Sequence, residues 1–216
     1  MPGKSSEALA NIGLYAHYGA SVAKKLGGSL VDGFRSAFSV DADIRRSYFR
    51  DKGIQHAKAG RYEAAVPLLE EVWSAGDTEA QVALHLGLAY VRTGAVDKGL
   101  EMLERAHAAD ATDAKLATVL GLAYVQAQRY ELAVPVLTKV AEENPTNFNV
   151  RFRLGVALDN LGRFAQAIDS FQIAQGIRPN EAKVYRAIAY SFEQMGEHEQ
   201  AIPYFKKANE LDGGGV

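Results

Sequence analysis

Five histidines, His17, His56, His85, His107 and His198, are the side chains of this chain best suited to ligate a metal or move a proton near neutral pH. His198 stands between Glu197 and Glu199, but adjacent residues of one turn rarely converge on an ion, and no HExxH spacing occurs. The chain has no cysteine, which removes disulfides, thiolate nucleophiles and zinc-thiolate sites. There is no GxxxxGK[ST] and no GxGxxG after a strand, and Ser, His and Asp share no common spacing. The sequence therefore predicts no catalytic, cofactor-binding or metal-binding residue and a protein that is not an enzyme.

Composition narrows the remaining classes. With 48% apolar and 23% charged residues the chain can bury an ordinary core. A net charge of −2 lacks the basic excess that neutralising phosphates requires, so no nucleic-acid partner is expected. The start, Met1-Pro2-Gly3-Lys4-Ser5-Ser6-Glu7, has no basic segment leading into an apolar one, and Ala8 to Ala23 is too short to span a bilayer. The expectation is a cytoplasmic protein.

What organises the chain is a repeat of 34 residues. Lys52-Gly53, Leu86-Gly87, Leu120-Gly121, Leu154-Gly155 and Ile188-Ala189 fall in step. In phase with them run His56, Tyr90, Tyr124, Leu158 and Phe192, then Ala65, Gly99, Ala133, Ala167 and Ala201, then Leu69, Leu103, Leu137, Phe171 and Phe205. Small residues on one helical stripe let backbones approach while large ones fill the space between, so each unit reads as helix-turn-helix. Gly60, Gly94, Gly162 and Gly196 mark the turns inside units, and Pro145 and Pro179 the joins between them. His56 and His198 occupy columns otherwise aromatic or apolar, which makes packing their simplest role. Pro67, Pro135 and Pro203 recur early in second helices, where a proline in the first turn would cause no kink.

These columns resemble the tetratricopeptide repeat family over roughly residues 46–215. The resemblance implies an all-α, right-handed α-solenoid of helix-turn-helix units: five clear repeats plus a degenerate one at the N-terminus. The proposed organisation is a degenerate repeat at 1–45, a pair at 46–113 and a triplet at 114–216. The terminal proline is missing where Asp77 and Ala111 stand, which predicts looser joins there and a bend near Asp110 to Ala114. In the family, first helices line a concave groove for partner proteins. Here that face should carry Arg50, Ile54, Leu84, Leu88, Val91, Thr118, Leu122, Val125, Phe152, Val156, Arg186 and Tyr190. An apolar floor with a basic rim suits an amphipathic helix or an extended segment with acidic flanks; alternatively, residues such as Leu84 and Val125 merely pack against neighbouring repeats. The carboxylate clamp of chaperone-binding members is missing, because its asparagine slots hold Ile54 and His85. Trp73 reads either as packing against the next repeat or as an exposed interface residue.

The degenerate unit, Asn11 to Val40, keeps Gly19 on the grid but carries Val31 and Arg35 where the others have small and large apolar residues. It is either a cap on the solenoid or a self-association element whose apolar face is Ile12, Tyr15, Val22, Leu26, Phe34 and Phe38. Residues outside the columns, such as Leu14 to Gly19 and Asn147 to Phe164, narrow the resemblance to the magnetosome-associated tetratricopeptide proteins of magnetotactic bacteria. That likeness implies a hook-like shape, homo-oligomerisation and peripheral attachment to the magnetosome membrane. It also implies other magnetosome-associated proteins as partners and a role in vesicle activation for magnetite biomineralisation. No cofactor is implied.

Overall fold

A computed structural model describes residues 42–213, which form ten α-helices. They are α1 (Ala42–Lys58), α2 (Tyr62–Ser74), α3 (Ala80–Arg92), α4 (Val96–Ala109), α5 (Ala114–Gln126), α6 (Tyr130–Glu143), α7 (Phe148–Asn160), α8 (Phe164–Ile177), α9 (Ala182–Gln194) and α10 (His198–Leu211). No strand occurs among the described residues. The expected self-association residues Ile12, Tyr15, Val22, Leu26, Phe34 and Phe38 lie outside them. Contacts among the described residues group them into two compact units that divide between Ala89 and Tyr90.

In the first unit α1 packs against α2 through the absence of a side chain. A Cβ at Gly53 would lie 2.7 Å from Cγ and Cδ2 of Leu69, so only glycine allows this approach. Phe49, Ala57, Ala65, Leu69 and Val72 are buried around it. The second unit repeats the device. Gly121 meets Leu137, and Gly155 meets Phe171, where a Cβ would sit 2.5 Å from Cε1 of the ring. There α5 packs on α6, α7 on α8 and α9 on α10, while α4 on α5, α6 on α7 and α8 on α9 join successive pairs.

The turn inside each repeat is closed by one hydrogen-bond pattern. The amides of Arg61, Ala95, Arg129, Arg163 and Glu197 donate to the carbonyls of His56, Tyr90, Tyr124, Leu158 and Phe192, at 2.8 to 2.9 Å. This is the six-to-one bond of a helix end whose intervening residue is left-handed. Gly60, Gly94, Gly162 and Gly196 hold φ between 72° and 91°, and Gln128 holds the same place at φ 58°.

One expectation about proline is corrected. Pro67, Pro135 and Pro203 are the sixth residues of α2, α6 and α10, one turn deeper than the first-turn position the sequence suggested. Each therefore deprives the carbonyl four residues earlier of its helical donor. All three are exposed, on the side where helices normally bow toward water and carbonyls tilt outward, so solvent can serve the freed carbonyl. At the joins without proline, aspartate side chains supply hydrogen bonds to the backbone. The Asp110 carboxylate accepts from the amides of Thr112 and Asp113 and from the Thr112 hydroxyl. Asp113 then caps α5 by accepting from the amides of Lys115 and Leu116. At the earlier join Asp77 accepts from the amide of Glu79.

One repeat departs from the packing rule. Where α3, α5, α7 and α9 carry buried Leu86, Leu120, Leu154 and Ile188, α1 carries exposed Lys52. Where they carry buried Ala89, Ala123, Ala157 and Ser191, α1 carries exposed Gln55. That face of α1 is polar.

Candidate partner-binding surface

The expected groove residues all sit on first helices, one turn apart, because positions four apart lie on one face of a helix. In the first unit the Arg50 guanidinium is held by three carboxylates: Asp51 at 3.5 Å, Asp77 at 3.5 Å and Glu79 at 3.3 Å. Ile54 and Leu88 are partly buried, and Leu84 is buried. Beside Arg50 a surface cleft is lined by Arg46, Asp43, Asp77 and Glu79; three carboxylates against two guanidiniums leave no cationic pull on an anion.

In the second unit the stripe grades from buried to open. Val91 and Val125 are buried, Thr118, Leu122, Phe152 and Val156 are partly buried, and Tyr190 is 57% exposed. The Thr118 hydroxyl is turned back onto the Ala114 carbonyl at 2.6 Å, so it is occupied within its own helix. Phe152 stacks on Phe148 with centroids 6.0 Å apart and meets Phe171 at 5.5 Å. Tyr190 stands edge-on to Phe205 at 5.2 Å. Arg186 is paired with Asp212.

Polar groups sequence reading passed over fix this face. The fully buried Ser191 hydroxyl donates to the Asp159 carboxylate at 2.5 Å and also reaches the Ala187 carbonyl. Its signal was faint: serine stands in a column of alanines. Tyr124 donates to Glu104 at 2.8 Å. Burial first, and then the Glu104 carboxylate, push the phenol up, so it remains a protonated donor. The basic rim is partly neutralised. Lys183 lies 3.4 Å from Glu181 and over the rings of Phe148 and Phe152, whereas Lys115 and Arg153 are exposed.

Packing accounts for the partly buried His56 but not for His198, which is exposed to solvent, a correction to the expectation drawn from its aromatic and apolar column. His56 is pushed below its ordinary value by burial, then by Arg61 and Lys52, a shift that favours the neutral ring. His198 meets Glu193 at 2.7 Å, not its sequence neighbours. No group of three or more potential metal ligands converges among the described residues, and none of the described helices is long and apolar enough to cross a membrane. Trp73 is partly buried.

Within the second unit the first helices α5, α7 and α9 are neighbours, an arrangement able to hold a protein segment along their exposed side chains. Models described as tetratricopeptide repeat match residues 56–123, 118–182 and 182–214. The chain belongs to the tetratricopeptide repeat family. The tetratricopeptide columns explain why glycine, alanine and the large apolar residues recur where they do, and the fold is an all-α solenoid of such repeats. Among solved structures, the chain is similar to MamA from strain MSR-1, with 70% identity, a TM-score of 0.76, and cover of 78% of this chain and 97% of that one. MamA from strain AMB-1 is also 70% identical, with a TM-score of 0.75 and cover of 78% and 99%. Among curated proteins it is 68% identical over 87 residues to magnetosome protein MamA of Paramagnetospirillum magnetotacticum, 40% of each chain. The matched stretch thus spans 40% of that curated relative's length.

Proposed function

We propose that this tetratricopeptide protein is a non-enzymatic scaffold at the magnetosome. In this reading it associates with itself, lines the cytoplasmic face of the vesicle membrane and recruits other magnetosome proteins, supporting vesicle activation for magnetite biomineralisation. The observation that carries the reading is the 70% identity to solved MamA structures across 78% of the chain. Membrane attachment is peripheral and runs through a protein partner, in keeping with the lack of a membrane-crossing helix among the described residues.

Light scattering with size exclusion on the full chain, beside a version starting at Asp41, tests self-association. Circular dichroism checks that both are helical. A large full-length species beside a folded, monomeric shorter one supports assembly through the degenerate unit; a strictly monomeric full chain at tens of micromolar (about 6 kcal/mol of association or less) refutes it. Co-sedimentation with purified magnetosomes tests the location.

A second reading, a monomeric adaptor that binds an amphipathic helix or peptide, rests on the graded stripe from Leu122 through Val156 to the open Tyr190. Leu122→Glu should abolish partner capture by folded protein if that stripe is the binding face.

A further inference from the structure

The last described repeat breaks a pattern that every earlier one keeps. Val66, Leu100, Val134, Ile168 and Ile202 occupy one column on the second helices. Leu100 and Ile168 are buried and Val66 and Val134 partly so, but Ile202 is 64% exposed. In the second unit α4, α6 and α8 each pack on the first helix of the following repeat, and no described helix does this for α10. The effect reaches the next column. Leu103, Leu137 and Phe171 are buried, whereas Phe205 is only partly so.

Charges on the same face say what can cover it. Glu199 and Lys206 are exposed and lie on either side of Ile202, three residues before it and four after, so all three share a face of α10. Nearby polar groups are already engaged: Lys207 with Glu210 at 3.4 Å, and the His198 ring with Glu193 at 2.7 Å. Glu199 and Lys206 are placed symmetrically about the midpoint between Ile202 and Pro203. A second α10 laid antiparallel about that midpoint brings Ile202 against its counterpart, and each Glu199 opposite the other copy's Lys206. One stripe is thus self-complementary, which is the requirement of a twofold contact.

Head-to-tail stacking lacks this match. A second copy arriving by its α1 would present the polar face of Lys52 and Gln55, which replaces the leucine and alanine columns used for stacking elsewhere. We propose that the exposed face of α10 is a self-association site, at which two copies pair antiparallel through Ile202, Glu199 and Lys206. This site is separate from the degenerate N-terminal unit. Two contacts of different kinds on one chain would turn a linear assembly into a cross-linked one.

The absence of cysteine from the chain makes the test direct. Ile202→Cys in the full chain places a lone thiol beside the proposed axis, where the partner's Cα can come within the roughly 4.4–6.8 Å that a disulfide spans. Under mild oxidation this variant should give a covalent dimer several-fold faster than Lys139→Cys, which puts a thiol on the exposed side of α6 and reports any crowding produced by association elsewhere. Adding Glu199→Lys sets like charges opposite one another and should lower the dimer yield by about tenfold, as should Lys206→Glu alone. Carrying both exchanges together restores the pairing and should restore the yield.

Circular dichroism confirms that each variant is folded; all four positions are exposed, so their replacement leaves the core intact. Equal cross-linking rates for Ile202→Cys and Lys139→Cys would overturn the proposal, as they would if a different protein's helix is what covers this face. Single charge reversals that leave the yield unchanged, or a double exchange that does not recover it, would overturn the antiparallel pairing. If instead light scattering shows no assembly through the degenerate unit while the covalent dimer still forms, the α10 contact stands and the N-terminal one falls.

Discussion

Gly155→Ala is the sharpest test of the packing logic, because one methyl group is asked to reverse the usual sign of a substitution. In a helix interior alanine is favoured over glycine by about 1 kcal/mol. Here the new Cβ would lie 2.5, 2.6 and 2.9 Å from Cε1, Cδ1 and Cζ of Phe171, closer than carbon atoms can rest. Phe171 cannot swing aside, being 1% exposed and in contact with the Phe152 ring at 5.5 Å. Overpacking of this kind costs about 1–3 kcal/mol. The clash wins by about 1 kcal/mol, which lowers the thermal midpoint by roughly 2–4 °C in a chain of this size. Gly176→Ala supplies the control. It lies near the end of α8 with no atom within 4 Å of the new Cβ, so it should raise the midpoint by about 1–4 °C. The assay is thermal unfolding followed by helical circular dichroism, comparing midpoints only, since repeat arrays need not unfold in one step. Equal stabilisation by the two substitutions would refute close helix approach as the reason for glycine at 155. The chain carries its own precedent: Ala189 fills the same column, opposite a Phe205 that is partly exposed and free to yield.

Three other outcomes follow from local geometry. Gln128→Gly relieves the one non-glycine among the described left-handed positions (φ 58°), and should stabilise the protein by about 0.5–1 kcal/mol in urea unfolding; a loss of stability would contradict it. The folded state holds His56 below its ordinary value, so the unfolded chain binds more protons. Stability is therefore full above the unfolded value of 6.5 and declines as pH falls through it toward the folded one; His56→Phe should flatten that part of the stability curve. The Asp110 carboxyl is lowered first by the Thr112 hydroxyl and then by the Thr112 amide. Its contribution is present above 3.8 and lost as pH falls through the folded value, and carboxyl NMR titration of Thr112→Ala should show Asp110 moving back up.

The fold was legible because its determinants are periodic. Glycine or alanine opposite a large apolar residue must recur at each repeat for backbones to approach, and columns such as Gly53 with Leu69 and Gly155 with Phe171 stand in the open sequence. The turns were legible for the same reason, except at Gln128, where the left-handed residue is not glycine and only the bond from Arg129 to Tyr124 reveals it. Prolines 67, 135 and 203 were misplaced by one turn because a 34-residue period fixes phase and not helix starts, which here depend on turn residues without side-chain caps. The candidate stripe was legible as positions but not as surface. Leu84, Val91 and Val125 are buried while Tyr190 is open, since exposure depends on the size of residues in neighbouring helices, which no single column records.

A repeat fold states its function in the exceptions to its columns. Positions that stay apolar and buried through the first four described repeats, such as Leu69, Leu103, Leu137 and Phe171, are accounted for by packing and leave nothing over for recognition. Where a column changes character, stacking no longer explains the residue. Lys52 in place of leucine turns one face of α1 toward water. Asp159 follows Val91 and Val125 in its column, and a buried serine holds its carboxylate in place. Ile202 keeps the stacking residue but is 64% exposed. An apolar side chain retained at an exposed place, with unlike charges set evenly on either side of it, has the composition of a helix interface and the accessibility of a surface. On the pairing proposed above, the helix that covers it is the same one from another molecule.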